Sequence, residues 1–411
     1  MLRPAGVVLV ALCLSAPALA RPVLEKVIIL QRHGVRAPTK PPADLAPYAR
    51  DAWATWPVAP GELTDHGADA LSLMGDALRR HYMTLGLLPK SGCAKDIFVW
   101  ADNSDQRTRR SGAVMAAALA PGCSVTAQMA PGEAADPLFH PAEDFCPIQP
   151  AEAQAALSAR LPVLLAAHRV AYDASVARLQ SVLDPDLKPE SCIQGKKCVV
   201  ALNRNDVKDG KLTGTLAEGS TLAENLYLEY AQGMPQPGWG RVPDAAALAG
   251  FMPLHQFFAD LTRRTPALAA HNGSLIARQI QAALAPVPAF AHEAPVPKDA
   301  RFILLAGHDT NISNIAGMLG LDWSLPGEPD VTAPDSALAF EVWRDDRHAR
   351  FVRLAIFYQT PDQLRNLTAF DAAHPLPHLD LALPGCASQC PLPVVSKKLA
   401  AAEAPACIKA P

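Results

Sequence analysis

The sequence predicts an α/β fold: a mostly parallel sheet flanked by helices, with an inserted, mainly helical smaller domain. Three observations carry this. Uninterrupted apolar runs at Val27–Leu30, Ile97–Trp100 and Phe302–Leu305 each lead into a polar stretch and then a helical pattern. Runs of that kind suit strands covered on both faces, as in parallel sheets with helical crossovers. Between roughly residues 147 and 265 the strand signal gives way to apolar residues at helical spacing. Late in the chain, Ala337–Trp343 and Phe351–Tyr358 alternate in the manner of a closing hairpin. The expected organisation is an α/β domain made of residues 21–146 and 266–411, with a helical domain at 147–265 between its halves.

Taken in order, residues 1–20 read as an export signal. Arg3 supplies the charge, Val7–Leu14 the apolar stretch, and Ala18-Leu19-Ala20 a small-residue cleavage site. The apolar stretch is shorter than the ~20 residues a spanning helix needs. Val27–Leu30 feeds into Arg32-His33-Gly34-Val35-Arg36-Ala37-Pro38-Thr39-Lys40, and Thr64 is placed to cap a helix with apolar positions Leu71, Met74, Leu78 and Tyr82. Ile97–Trp100 runs into Ala101–Arg110 and an Ala-rich helix that stops at Pro121-Gly122. In the helical stretch, Leu157, Leu161, Leu165, Tyr172, Val176 and Leu179 share one face, with Pro162 as a kink. The Pro-rich connector Ala285–Pro297 marks a boundary, after which Phe302–Leu305 leads to Gly307-His308-Asp309-Thr310-Asn311 and a helix to Leu319.

Composition narrows the function classes. A net charge of −3 argues against a general nucleic-acid or membrane-surface binder, so any polyanion must meet a local concentration of positive charge. Of nine cysteines, Cys13 lies in the signal, and the remaining eight suit disulfides in an oxidising compartment, periplasmic or extracellular. Cys192/Cys198 and Cys386/Cys390 are close enough to close small loops, whereas Cys93, Cys123, Cys146 and Cys407 would pair over longer range. Paired CxxC and HExxH arrangements are missing from the sequence, so neither a metal nor another cofactor is expected.

Ligands of open α/β sheets bind beyond the carboxyl ends of the strands. Three segments far apart in sequence deliver polar residues there: Arg32, His33 and Arg36; Arg107; and His308 with Asp309. Guanidiniums grip phosphate oxygens in bidentate forks. A neutral imidazole attacks phosphorus, and a carboxylic acid protonates a departing alkoxide. That inventory suits transfer of a phosphoryl group from a monoester.

The segments RHGVRAPTK (Arg32–Lys40), RTR (Arg107–Arg109), AQGMPQPGWGR (Ala231–Arg241), GHDTN (Gly307–Asn311) and DWSLPGEPD (Asp322–Asp330) together resemble the histidine acid phosphatases, and among them the bacterial periplasmic phytases. The resemblance implies His33 as nucleophile and Asp309 as proton donor. It also implies Arg32, Arg36, Arg107 and His308 as the phosphate cradle, and Thr39, Lys40 and Thr310 as substrate contacts. It implies disulfides Cys93–Cys123, Cys146–Cys407, Cys192–Cys198 and Cys386–Cys390. The implied partner is a small phosphate monoester, an inositol polyphosphate or a sugar phosphate, bound by a monomer. Two departures stand out: Gln106 replaces an acidic residue before the RTR arginine, beside a loop one residue longer at Asn103–Asp105, and Gln236 replaces a glutamate. The other readings weighed are a sugar phosphatase like the glucose-1-phosphatases, a silent phosphate-binding protein and a mutase. The nucleophile and acid argue against the silent binder, and the inserted domain, export signal and late His-Asp pair against the mutase.

Overall fold

The computed structural model describes residues 21–141, 145–187, 198–200, 203–371, 373–386 and 389–411. The export signal and Cys192 lie outside the described residues. The main sheet has eight strands: β1 (Val23–Arg32), β2 (Ile97–Ala101), β3 (Ala127–Gln128), β6 (Phe302–Gly307), β7 (Ala337–Arg344), β8 (Arg350–Phe357), β9 (His378–Leu381) and β10 (Cys390–Pro391). The remaining pair, β4 (Asn205–Lys208) and β5 (Lys211–Gly214), forms a separate antiparallel hairpin. In the main sheet the order is β10-β8-β7-β1-β6-β2-β3, with β9 also on β8. The sheet is mixed. β1, β6, β2 and β3 run parallel, and β7 joins β1 antiparallel as the expected hairpin closes through β8.

The continuous apolar runs are buried on both faces, as their composition requires. Ile28, Leu30, Ile303 and Leu305 face one core, with Ile276 and Ile280 of helix Pro266–Leu284 and Ile312 and Ile315 of helix Asp309–Leu319. Val27, Ile29, Phe302 and Leu304 face the other, with Leu71, Met74 and Leu78 of helix Asp65–Thr84 and Met115 of helix Gln106–Leu119. This in-and-out alternation is the period-2 geometry of a strand. Thr64 caps its helix as expected, its hydroxyl accepting from the Gly67 N–H at 2.9 Å.

A third core joins Leu157, Tyr172, Val176 and Leu179 with Leu222, Leu226, Phe251, Leu254 and Leu261 of the helical stretch. Helix Pro150–Ala167 continues through Pro162, and the helical run is interrupted at His168, before helix Arg169–Leu183. Among the described residues the disulfides Cys93–Cys123, Cys146–Cys407 and Cys386–Cys390 are formed, and the expected Cys192–Cys198 pair falls partly outside them. Among the described residues, no helix is long and apolar enough to cross a membrane.

Candidate active site

The parallel register aligns three strand ends. Arg32 pairs with Gly307 and Ala101 with Ala306, so the next residues, His33, His308 and Asp102, leave the sheet on the same edge. The His33 N–H donates to the Gly307 carbonyl at 3.0 Å, fixing the first turn beyond β1. That turn presses on helix Asp65–Thr84: a Cβ at Gly34 would meet Leu71 Cδ1 at 2.7 Å, and one at Gly67 would meet the Val35 carbonyl oxygen at 2.1 Å. Only glycine fits either position.

His33 is 3 % exposed. Its Nδ1 lies 2.9 Å from the Gly34 carbonyl. A carbonyl only accepts, so Nδ1 carries the proton and Nε2 keeps its lone pair. Burial pushes the imidazole well below its usual range, and Arg107, Arg32, His308 and Arg36 push the same way. Burial and these neighbouring charges thus favour the neutral form, the state in which an imidazole is nucleophilic.

Arg32 is 1 % exposed, and its Nη1 donates to Asp330 Oδ2 at 2.9 Å and to the Thr332 carbonyl at 2.6 Å. Its Nη2 donates to Glu224 Oε1 at 2.6 Å, while Arg36 Nη2 donates to Glu224 Oε2 at 3.1 Å. One carboxylate from helix Thr215–Ala231 thus bridges two arginines. Burial opposes the Arg32 charge, but Asp309, Asp330 and Glu224 outweigh it and raise its pKa. For Glu224, burial is likewise overcome, by Arg36, His255 and Arg32, which hold its carboxyl at about 2. Arg107 pairs with Asp105 at 2.5 Å and donates to the Gly61 carbonyl at 3.3 Å. Arg32, Arg36 and Arg107 each keep a buried Nε–H with no protein acceptor, so donors remain for an anion.

His308 Nε2 lies 2.7 Å from Asp102 Oδ2, and His140 Nε2 lies 3.0 Å from the same oxygen. Burial would raise the Asp102 carboxyl, but the two imidazoles and the Ser104 hydroxyl hold it well below the usual range. Asp309 opens helix Asp309–Leu319, its carboxylate paired with Arg263 and 4.0 Å from Arg32. Burial would raise that carboxyl too, yet Arg263, Arg32, His255 and His33 hold it well below.

The structure brings together Arg32, His33, Arg36, Arg107, His308 and Asp309. Thr39 is exposed beside the Gly61 turn that Arg107 contacts, Lys40 lies 3.5 Å from Glu218, and Thr310 is half-buried in the first turn after Asp309. Asp105, the residue before Gln106, pairs with Arg107, and Gln106 Oε1 accepts from the Leu63 N–H at 2.9 Å. Sequence reasoning missed Asp102, His140, Glu224, His255, Arg263 and Asp330. Asp102 was within reach of the strand-end rule, since it directly follows β2.

Among the described residues, three clusters bring metal-ligating atoms within 4.8 Å: Cys146/His271/Cys407, Asp102/His140/His308 and Glu224/His255/Asp309. The first has its sulfurs joined in a disulfide. In the other two the carboxylates already accept from imidazoles or arginines, among guanidiniums that repel a cation.

The chain is 34% identical over 379 residues to phytase AppA of Escherichia coli (strain K12), covering 88% of this chain and 87% of that protein. It is 26% identical over 378 residues to the glucose-1-phosphatase of Salmonella typhimurium, covering 88% and 87%. The structure of Hafnia alvei phytase in complex with myo-inositol hexakis sulphate superposes with a TM-score of 0.85 at 37% identity, covering 95% of this chain and all of that one. Residues 23–356 match the profile of the histidine phosphatase superfamily (branch 2), and the chain belongs to that family.

Proposed function

We propose that this protein is an exported acid phosphatase that hydrolyses phosphate monoesters through a phosphohistidine, acting as a phytase on inositol hexakisphosphate. The observation that carries the reading is a buried neutral imidazole with a free Nε2 among three arginines, close to a carboxyl acid. In the first step the Nε2 lone pair of His33 forms the N–P bond as the ester P–O bond breaks. The bonding electrons leave on the alkoxide oxygen, which takes the Asp309 proton. In the second step water attacks phosphorus, Asp309 takes its proton, and the N–P electrons return to Nε2. Asp309 is charged in the empty site. A bound phosphate dianion offsets Arg32, Arg36 and Arg107, which draws a proton back onto the acid.

The arginines and His308 hold the phosphate, while Thr39, Lys40 and Thr310 contact the rest of the ester. Residues 21–146 and 266–411 act as the phosphatase domain, and residues 147–265 act as an inserted domain that reaches the mouth through Glu224 and Arg263. The protein works as a monomer, without a metal, in the periplasm or outside the cell, where its disulfides persist.

A glucose-1-phosphatase reading is supported by the 26% identical relative of that name, whereas the relatives at 34% and 37% are phytases. Initial rates of phosphate release from phytate, glucose 1-phosphate and p-nitrophenyl phosphate across acid pH decide the matter. Phytate is expected to show the highest kcat/KM of the two natural esters. Preference for glucose 1-phosphate would overturn the phytase reading and leave the chemistry standing.

A further inference from the structure

The surroundings of Asp309 include a charge that no strand-end motif announces. Helix Pro253–Arg263 ends on Arg263, and the next residue packs directly on helix Asp309–Leu319: a Cβ at Gly317 would meet Arg264 Cα at 2.7 Å and the Arg264 carbonyl oxygen at 2.7 Å. From this close crossing the two adjacent arginines diverge. Arg264 turns outward to the Leu321 carbonyl, to Asp322 at 3.3 Å and over the Trp323 ring. Arg263 turns inward, and its Nη1 donates to Asp309 Oδ2.

We propose that Arg263 is a positioning residue for the acid: its guanidinium clamps the Asp309 carboxylate at the mouth of the cradle and sets the pH above which leaving-group protonation fails. The inference rests on the reading of Asp309 as that acid. The groups facing Asp309 are Arg32 and His33 from the end of β1, Arg107 from helix Gln106–Leu119, Glu224 from helix Thr215–Ala231, and His255 with Arg263 from helix Pro253–Arg263. Arg32 is already committed to Asp330, Thr332 and Glu224, and lies 4.0 Å from Asp309. Arg32, Arg36 and Arg107 are also the charges that a bound phosphate offsets. Arg263 is in contact with Asp309 itself, so its charge persists beside the acid after the cradle has been neutralised. Burial raises the Asp309 carboxyl, and Arg263 heads the charges that outweigh it.

The direction of the effect follows. An acid works while protonated, and a neighbouring cation favours its charged form, so removing the cation extends the protonated range upward in pH. The experiment compares kcat against pH for wild type, Arg263→Gln, Arg263→Met and Arg263→Lys on phytate and on p-nitrophenyl phosphate. On phytate, the alkaline limb moves up by about one unit in the Gln and Met variants, an opposite charge in contact being worth ~1–3 units. In the Lys variant it stays within a few tenths of a unit, roughly, of wild type. On the aryl ester, whose leaving group departs without a proton, the limb does not move. Met keeps the apolar stem without the charge, so agreement between Gln and Met separates charge from packing. An unmoved limb on phytate in the active Gln or Met variant overturns the proposal, as does an equal shift on both esters. Failure of the wild type to release phosphate from either ester would overturn the phosphatase reading instead.

Discussion

Replacing Asp309 by asparagine separates proton donation from phosphate binding. The amide keeps the size of the carboxylic acid and loses its acidic proton. General acid catalysis contributes about 10²–10⁴-fold where the leaving group needs a proton, so kcat on phytate is expected to fall by that factor. On p-nitrophenyl phosphate the loss should stay below ~10-fold, because the phenolate leaves unaided. The structure also fixes a stability cost. The Asp309 side chain is 11% exposed and its partner Arg263 18%, so the pair is little screened. A charge-assisted hydrogen bond in such a setting contributes about 1.5–3 kcal/mol, and the variant should be less stable by roughly 2 kcal/mol at pH 5. The folded-state pKa of Asp309 is depressed, so this contribution is present above the unfolded carboxyl value, ~3.9, and is lost as pH falls through the folded one. Steady-state kinetics on both esters, with urea denaturation at pH 5 and pH 2.5, measure both effects. Equal kinetic losses on the two esters would refute the assignment and make Asp309 a binding group.

Two further outcomes follow from the same geometry. His33→Ala should reduce turnover by about 10⁴-fold or more and abolish the radiolabelled phosphoenzyme trapped by rapid quench; a labelled protein in that variant would place the nucleophile elsewhere. Glu229, buried and accepting from the Gly238 N–H at 2.8 Å, has its carboxyl pushed up to about 7 by burial against that bond. Its contribution to stability is therefore full below the ordinary carboxyl range and is lost as pH rises through about 7. Glu229→Gln should stabilise the protein by about 1–3 kcal/mol at pH 8 and leave it unchanged near pH 4, read from chemical denaturation; the same effect at both pH values would show that Glu229 does not titrate on folding.

The parts of the fold legible in the sequence were those written in local pattern. Val27–Leu30 and Phe302–Leu305 announced strands covered on both faces because every residue in them is apolar, and both faces are covered. The residues after those strands, His33 and His308-Asp309, were legible because ligands gather at strand ends. Glu224 and Arg263 were not. Each sits on a helix whose face toward the site is set by tertiary packing, and neither lies in a segment with its own chemical signature. The interruption at His168 was hidden for a related reason: Pro162 is the stronger local breaker, yet the apolar face formed by Leu157, Leu161 and Leu164 holds the helix together across it. The pairing of Arg107 with Asp105 needed a loop conformation that composition does not encode.

The bridge between Cys146 and Cys407 has a consequence for how the chain is made. Its partners are 261 residues apart, and of the three bridges described it alone skips over other cysteines, among them Cys386 and Cys390. At ribosomal speeds of about 5–20 residues per second, Cys146 waits roughly 13–50 seconds for its partner to be synthesised. During that wait its thiol is open to attack on, or capture by, the sulfurs that emerge earlier. Any early mispairing therefore has to be reversible, and the yield of oxidised protein should depend on a disulfide isomerase rather than on an oxidant alone.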